Sequence, residues 1–316
     1  MSILATSTYT PLSGSLHAGV TGQEWTGDLD NVTQYGLLFT PTAAGTYPYI
    51  LYSRGGTDGA NSSLSDAKIQ GNAGSITAGH IPFGVCAPAA WDDSSLTPAG
   101  PAGYVVNCPD LREGGGPWNG GTAGSGVDEL GGGDLKDTLQ AWAAGAEMTA
   151  KANMSKTCMW GDSRGAINML GAMAKYGLQP DVCVLRSPLL NIYDWDAMSQ
   201  TAKASVLAPL DELGFTGADT DTRADLDDTS LRMLKERSPN LFLDELPTTT
   251  KYCVVWGEDD TTIPREWVLA FVTGMRARGA EVSYFEIPQF GHSIANSDGT
   301  NLAYLHIRRY LVKHLS

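Results

Sequence analysis

Residues Thr157–Ala172 read TCMWGDSRGAINMLGA. The stretch opens with an apolar run, Cys158, Met159 and Trp160, and turns tightly through Gly161-Asp162-Ser163-Arg164-Gly165. It continues as a helix of small and apolar residues through Ala166, Ile167, Leu170 and Ala172. Strand, sharp turn and helix in that order put a serine at the apex. A G-x-S-x-G turn in this setting lifts the serine hydroxyl above the sheet edge in a strained backbone conformation. The residues two before and two after the serine crowd together, which asks for glycine at both. The helix then aims its N-terminal amides at the place where negative charge develops in acyl transfer. Glycine makes up 37 of the 316 residues, so the pentapeptide alone can arise by chance. The flanking strand and helix are what give it weight.

Working outward, further buried-type strands read at Tyr47–Tyr52 (YPYILY), Gly103–Pro109 (GYVVNCP), Val182–Leu185, Tyr252–Trp256 (YCVVW) and Val282–Ile287. Helical patterns fall between them. Leu135, Leu139 and Trp142 stand at i, i+4 and i+7 behind Asp134, a candidate N-cap, and Trp267, Leu269, Phe271 and Met275 mark the buried face of Arg265–Arg278. Asn301–Leu315 closes the chain as a helix, and a further helix is read around Ser65–Ala78. Residues 1–45, rich in Thr, Ser and Gly, read as one or two edge strands. Residues 188–240 alternate loops with helical patterns around Tyr193–Leu207 and Thr222–Arg237, which suggests a helical insertion or lid. Strands alternating with helices at this spacing predict an α/β fold, with a doubly wound, mostly parallel sheet covered on both faces. Residues 1–316 then form one domain, and the reactive groups belong at the carboxyl ends of the strands.

A serine hydroxyl needs a base to take its proton, and the base needs an orienting acid. In a doubly wound hydrolase these follow in the order serine, acid, histidine. Of His17, His80, His292, His306 and His314, only His292 lies in a loop after a strand that follows the serine. His306 and His314 fall on the last helix and read as surface or packing residues. The acid comes from Glu258, Asp259 and Asp260 after YCVVW. Asp260 is chosen because a turn between Gly257 and Pro264 can swing it towards His292, and Asp259 is the runner-up. The backbone N–H of Arg164, and a second from Gly55 in the turn after YPYILY, are the candidate oxyanion donors. Arg54 and Trp118 are candidate substrate contacts. Trp91, Tyr193 and Trp195 are either pocket aromatics or ordinary packing.

With 35 acidic against 21 basic residues the net charge is −14. No basic run offsets it, which argues against nucleic acid as a partner. No apolar run reaches bilayer-spanning length, and the start MSILATSTYT lacks the pattern of a secretory leader. Four of the five cysteines, Cys108, Cys158, Cys183 and Cys253, sit in apolar strand-like runs, and only Cys86 does not. Reduced buried thiols, and weakly a cytoplasmic location, follow; a leader-trimmed or virus-encoded chain would read the same way. No metal-ligand cluster or nucleotide-binding loop is found, so the expected chemistry uses no cofactor.

As a set these pieces resemble the catalytic domain of the prolyl oligopeptidase family, within the α/β-hydrolase fold. LYSRGG resembles the family's oxyanion turn. GYVVNCPDLREGGG is similar to its strand and D-x-R-G-x-G-G loop. DELGGGDLKDTLQAW resembles the helix before the elbow, WGDSRGA the elbow itself, and ERSPNLFLDEL the R-S-P segment before the acid strand. GEDDTTIP fits G-x-x-D-x-x-V-P, and FGHS fits the histidine loop. The resemblance covers about residues 35–316. It implies Ser163, Asp260 and His292 as a catalytic triad and Arg164 and Gly55 as oxyanion donors. The chain departs from the family in lacking an N-terminal β-propeller, and glutamates that would clamp a free amino terminus are not identifiable. It also resembles dienelactone hydrolases and acyl esterases, single-domain members of the fold that often cleave esters. The first expectation is therefore an esterase for short acyl or acetylated carbohydrate esters. A peptidase acting on short peptides is the alternative. A binding protein on a hydrolase scaffold is the reading from another class.

Overall fold

The computed structural model describes residues 8–11, 20–29, 32–53, 103–109, 129–200, 203, 210, 213–215, 222–292, 294 and 297–316. Arg54, Gly55, Trp91, Trp118, Cys86, His17, His80, the Ser65–Ala78 helix and the Gly-rich stretch 114–126 lie outside the described residues.

One nine-stranded sheet organises the described chain, in the order β1-β2-β3-β5-β4-β6-β7-β8-β9. β1 (Thr8–Pro11), β2 (Val20–Leu29) and β3 (Val32–Pro41) form an antiparallel meander at one edge, and β3 also runs antiparallel to β5 (Val105–Pro109). Three strands thus stand where one or two were expected. β4 (Tyr47–Ser53), β6 (Ala152–Asp162), β7 (Val182–Arg186), β8 (Lys251–Gly257) and β9 (Val282–Ile287) run parallel to one another and to β5. After β4 the chain first moves to one side, to β5, and then crosses back over to β6. The strand order therefore reverses beside β4 and β6, where open α/β sheets form a crevice at their carboxyl ends.

Alternation along the strands feeds two cores. One face carries Tyr49, Leu51, Met159, Cys183, Leu185, Val254 and Trp256, packed with α1 (Asp134–Met148), α2 (Gly165–Tyr176) and α4 (Arg265–Ala277). The other carries Ile50, Tyr52, Cys158, Trp160, Val184, Cys253 and Val255, packed with α5 (Ser297–Leu315). Burial on both faces is why these strands read as continuous apolar runs. Every residue of α2 from Gly165 to Met173 is buried, and only its last turn reaches the surface, at Lys175. Cys108, Cys158, Cys183 and Cys253 are all buried thiols, and burial raises those of Cys158, Cys183 and Cys253 well above their ordinary value.

Asn107 of β5 fastens the meander to the parallel strands. Its Oδ1 accepts from Trp25 Nε1 at 2.9 Å, and its Nδ2 donates to Tyr49 Oη at 3.0 Å and to the Ala141 carbonyl at 3.1 Å. A buried amide satisfied in this way links β2, β4, β5 and α1 without leaving a polar group bare.

Between β7 and β8, the described residues hold parts of both helical patterns read from the sequence. The Tyr193 region holds a 3-10 turn, Trp195–Ala197, followed by helical residues at Gln200 and Lys203; residues 201, 202 and 204–207 lie outside the described residues. The Thr222–Arg237 pattern holds a 3-10 turn, Arg223–Asp225, and the helix α3 (Asp228–Glu236). The Asp227 carboxylate caps α3 by accepting the Ser230 N–H at 2.7 Å. Leu190, Ile192, Trp195, Leu234 and Leu246 join the core under α2 and α4. Asp134 does not cap α1, as the sequence suggested. It is the first helical residue, and its carboxylate accepts the Glu129 and Gly131 amides of the preceding turn. Among the described residues, no helix is long and apolar enough to cross a membrane.

Candidate active site

β6 ends at Asp162 and α2 begins at Gly165, leaving Ser163 and Arg164 to make the turn. Ser163 has φ 50°, a left-handed conformation that costs a non-glycine residue roughly 1–2 kcal/mol. The main chain around it holds that conformation. Its N–H donates to the Arg186 carbonyl at 2.9 Å, and its carbonyl accepts the amides of Leu189 at 3.0 Å and Ala166 at 3.1 Å. A Cβ on Gly161 would lie 2.6 Å from the Gly165 carbonyl oxygen and 2.7 Å from Ala166 Cα. Both are backbone atoms that cannot swing away, so the approach of helix to strand requires glycine there.

The acid and the histidine come from two loops pressed together at the ends of β8 and β9. The Asp259 N–H donates to the Phe290 carbonyl at 2.8 Å, and the Glu258 N–H to the Ile287 carbonyl at 3.0 Å. The Glu258 carboxylate accepts the Gln289 N–H at 3.3 Å. A Cβ on Gly257 would stand 2.3 Å from the Phe290 carbonyl oxygen, so the two loops meet backbone to backbone. Gln289, at φ 64°, makes the turn that brings the chain round to His292.

These loops separate the candidate acids. Glu258 and Asp259 are exposed, whereas the Asp260 side chain is fully enclosed. Asp260 Oδ1 accepts the amides of Thr262 at 2.8 Å and Ile263 at 2.9 Å, and Oδ2 lies 2.9 Å from His292 Nδ1. His292 Nε2 in turn lies 3.0 Å from Ser163 Oγ. With the imidazole neutral and its proton on Nδ1, Nε2 is left as an acceptor for the serine hydroxyl. The chain Ser163–His292–Asp260 is therefore arranged to move a proton from oxygen to nitrogen, with a carboxylate to stabilise the imidazolium that forms.

Arg164 occupies the N-terminal position of α2, next to Ser163, with its side chain buried. Its backbone N–H stands where the dipole of α2 favours negative charge. The partner residue Gly55, with Arg54 and Trp118, falls outside the described residues. Trp195 is fully buried against Phe215 and under the Lys203 ammonium, so it is a packing residue. Tyr193 is half-buried, with the Arg223 guanidinium 3.8 Å over its ring. His306 stacks on Phe285, and His314 packs against Tyr310 beside Glu281. Burial lowers the pKa of both imidazoles, in keeping with the packing roles read for them. Among the described residues, no group of His, Cys, Asp and Glu is arranged to hold a metal ion.

The sequence reading missed what lies directly beneath the turn. Asp162 is 3% exposed, and its carboxylate collects three donors: Tyr52 Oη at 2.9 Å, Trp160 Nε1 at 2.9 Å and Arg186 Nη2 at 2.6 Å. It also missed the anchoring use of Arg237, whose Nε donates to the Glu129 carbonyl at 2.9 Å and whose Nη1 donates to the Met233 carbonyl at 3.2 Å. That arginine ties the R-S-P segment to the turn before α1.

A family model for the prolyl oligopeptidase family matches residues 92–316, well over half of the chain. The chain belongs to the prolyl oligopeptidase family. Among solved structures, it is similar to an acetyl xylan esterase from Paenibacillus sp. R4. That match has a TM-score of 0.65 and 11% identity, and covers 98% of this chain and 89% of that one. It is also similar to a Pyrococcus horikoshii acylaminoacyl peptidase, with TM-score 0.64 and 13% identity, over 98% of this chain. This family member spans 42% of that peptidase. A third likeness is to an S-formylglutathione hydrolase from Agrobacterium tumefaciens, with TM-score 0.59 and 13% identity, covering 97% of this chain and 99% of that one. A comparison with curated protein sequences finds no significant match. The fold is that of the α/β-hydrolases, with an open, mostly parallel sheet, and this member of the prolyl oligopeptidase family is a serine hydrolase.

Proposed function

We propose that the protein hydrolyses a carboxylic ester through an acyl-enzyme formed on Ser163. The observation that carries this reading is the hydrogen-bonded chain from Ser163 Oγ through His292 to the enclosed Asp260 carboxylate. Ser163 Oγ attacks the ester carbonyl carbon while His292 Nε2 takes its proton, and Asp260 stabilises the imidazolium. The oxyanion is met by the Arg164 amide and, as proposed from the sequence, by the Gly55 amide. The tetrahedral intermediate collapses, the carbon–oxygen bond to the alcohol breaks, and His292 returns the proton to the leaving oxygen. Water then attacks the acyl-enzyme with His292 again as base, releasing the acid and restoring Ser163.

Short acyl or acetylated carbohydrate esters are the proposed substrates. The likeness to acetyl xylan esterases over 88–89% of those chains supports an ester. Membership of the prolyl oligopeptidase family supports a short peptide as the second reading. A panel of p-nitrophenyl acetate, propionate and butyrate, run beside fluorogenic dipeptides, tests the choice. Turnover of the acetate and no peptide cleavage is the expected result. No turnover of any aryl ester would overturn the ester reading, and peptide cleavage alone would put the second in its place.

A further inference from the structure

Asp162 and Arg186 are register partners on adjacent parallel strands. Each residue touches the serine turn twice over. Asp162 precedes Ser163 in the chain, and its carboxylate is gripped by the Arg186 guanidinium. Arg186 also lends its main-chain carbonyl to the Ser163 N–H. The same carboxylate reaches across to Tyr52, the next-to-last residue of β4, and to Trp160 within β6. One buried group thus ties together the carboxyl ends of β4, β6 and β7. β6 delivers the serine, β7 holds its amide, and β4 ends two residues before Gly55 in the sequence.

An isolated buried ion pair is a poor device for stability, because desolvating both charges offsets most of their attraction. Here burial by itself would lower the Arg186 pKa, yet Asp162, Tyr304 and Tyr52 hold it above the ordinary arginine value. Burial, with Asp162 adding to it, pushes the Tyr52 hydroxyl well up, so it stays a neutral donor. The cluster is a charge pair completed by two neutral donors. It sits under a serine whose backbone conformation is unfavourable by itself.

We propose that Asp162, Arg186 and Tyr52 are positioning residues for Ser163, fixing the nucleophile relative to the end of β4. This rests on the proposed role of Ser163. Among the described residues, the Asp162 carboxylate is bonded to Tyr52, Trp160 and Arg186, and the Tyr52 hydroxyl to Asp162. Their effect is on where Ser163 Oγ stands, which alters the rate of attack more than the binding of substrate.

The test uses Asp162→Asn, Arg186→Met, Tyr52→Phe and the Asp162→Asn/Arg186→Met double variant. Each is assayed for the rate of phosphonylation by a fluorophosphonate and for kcat and KM on p-nitrophenyl acetate, well below its melting temperature. Arg278→Met is the comparator: Arg278 bonds the carbonyls of Leu243, Asp244 and Leu246, far along the chain from the serine turn. Asp162→Asn and Arg186→Met should each slow phosphonylation and kcat by roughly 10- to 100-fold, with KM changed less than about threefold. The double variant should be no slower than the worse single, because the pair acts as a unit. Tyr52→Phe, which keeps the shape, should lose about 3- to 10-fold and serves if the charge variants do not fold. Arg278→Met should lower the melting temperature and leave both rates at the wild-type value.

Wild-type rates in folded Asp162→Asn and Tyr52→Phe would overturn the inference, as would equal slowing in Arg278→Met. Absence of phosphonylation in the wild type would overturn the role of Ser163 itself, and the inference with it.

Discussion

Ser163 and His292 face each other at 3.0 Å but are held by different means. The serine turn is a local device. Its determinants are contiguous: glycine at 161 lets the helix close on the strand, and the bonds around Ser163 hold a left-handed residue in place. The histidine is held by contact between two loops 32 residues apart in sequence. These join through the Asp259–Phe290 and Glu258–Ile287 bonds and meet backbone to backbone at Gly257. The first arrangement stores strain above a buried carboxylate. The second puts its left-handed residues at Gln289 and Ile294, on either side of His292 and not on it, and its exposed members, Glu258 and Asp259, support an enclosed one, Asp260. A nucleophile with one working conformation suits a rigid seat. A base that shuttles a proton between two partners suits a seat set by many weak bonds.

Four sets of substitutions break or sharpen this contrast. The largest effect belongs to Ser163. Ser163→Ala should cost about 10^5-fold or more in turnover with the fold intact by circular dichroism. Ser163→Gly should be equally inactive yet melt higher than Ser163→Ala, because glycine removes roughly 1 kcal/mol of left-handed strain. If the two melt together, the serine turn stores no strain and the contrast fails.

Next is the acid. Asp260→Asn should lower kcat by about 10^4-fold through the wrong imidazole tautomer, while Asp259→Asn should stay within about threefold of wild type. The reverse pattern in an ester assay would mean that the loop presents the other carboxylate. Third, Gly257→Ala should destabilise by about 1–3 kcal/mol in urea, because its Cβ meets backbone and not a flexible side chain. It should also lower kcat, since the His292 loop must move to make room. Smallest is Glu258→Gln, which weakens one long bond to the Gln289 amide at an exposed site. It should shift stability by no more than about 0.5 kcal/mol.

The same contrast explains what could be read from the sequence. The turn at Ser163 was legible because strand, glycines and helix are neighbours in the chain. His292 and Asp260 were legible by order along the chain. Choosing Asp260 over Asp259 needed only the turn after β8, now seen as the Asp260 N–H to Gly257 carbonyl bond at 3.0 Å. The Asp162–Arg186 pair was not legible, because it depends on the register of two strands whose partners stand 24 residues apart. The third edge strand was missed because VTGQEWTGDL carries few apolar residues. Trp25 is buried there through its bond to Asn107, 82 positions away. Of the helices read between β7 and β8, Thr222–Arg237 holds α3, legible from its leucine spacing and closed at its start by Asp227, while residues 201, 202 and 204–207 of Tyr193–Leu207 lie outside the described residues.

The most direct measurement is intact-mass spectrometry after fluorophosphonate treatment, with peptide mapping, on wild type, Ser163→Ala and His292→Ala. A single adduct on Ser163, absent in Ser163→Ala and slowed at least a hundredfold in His292→Ala, is the result the account predicts. An adduct on another residue, or equal labelling of Ser163 without His292, would contradict it.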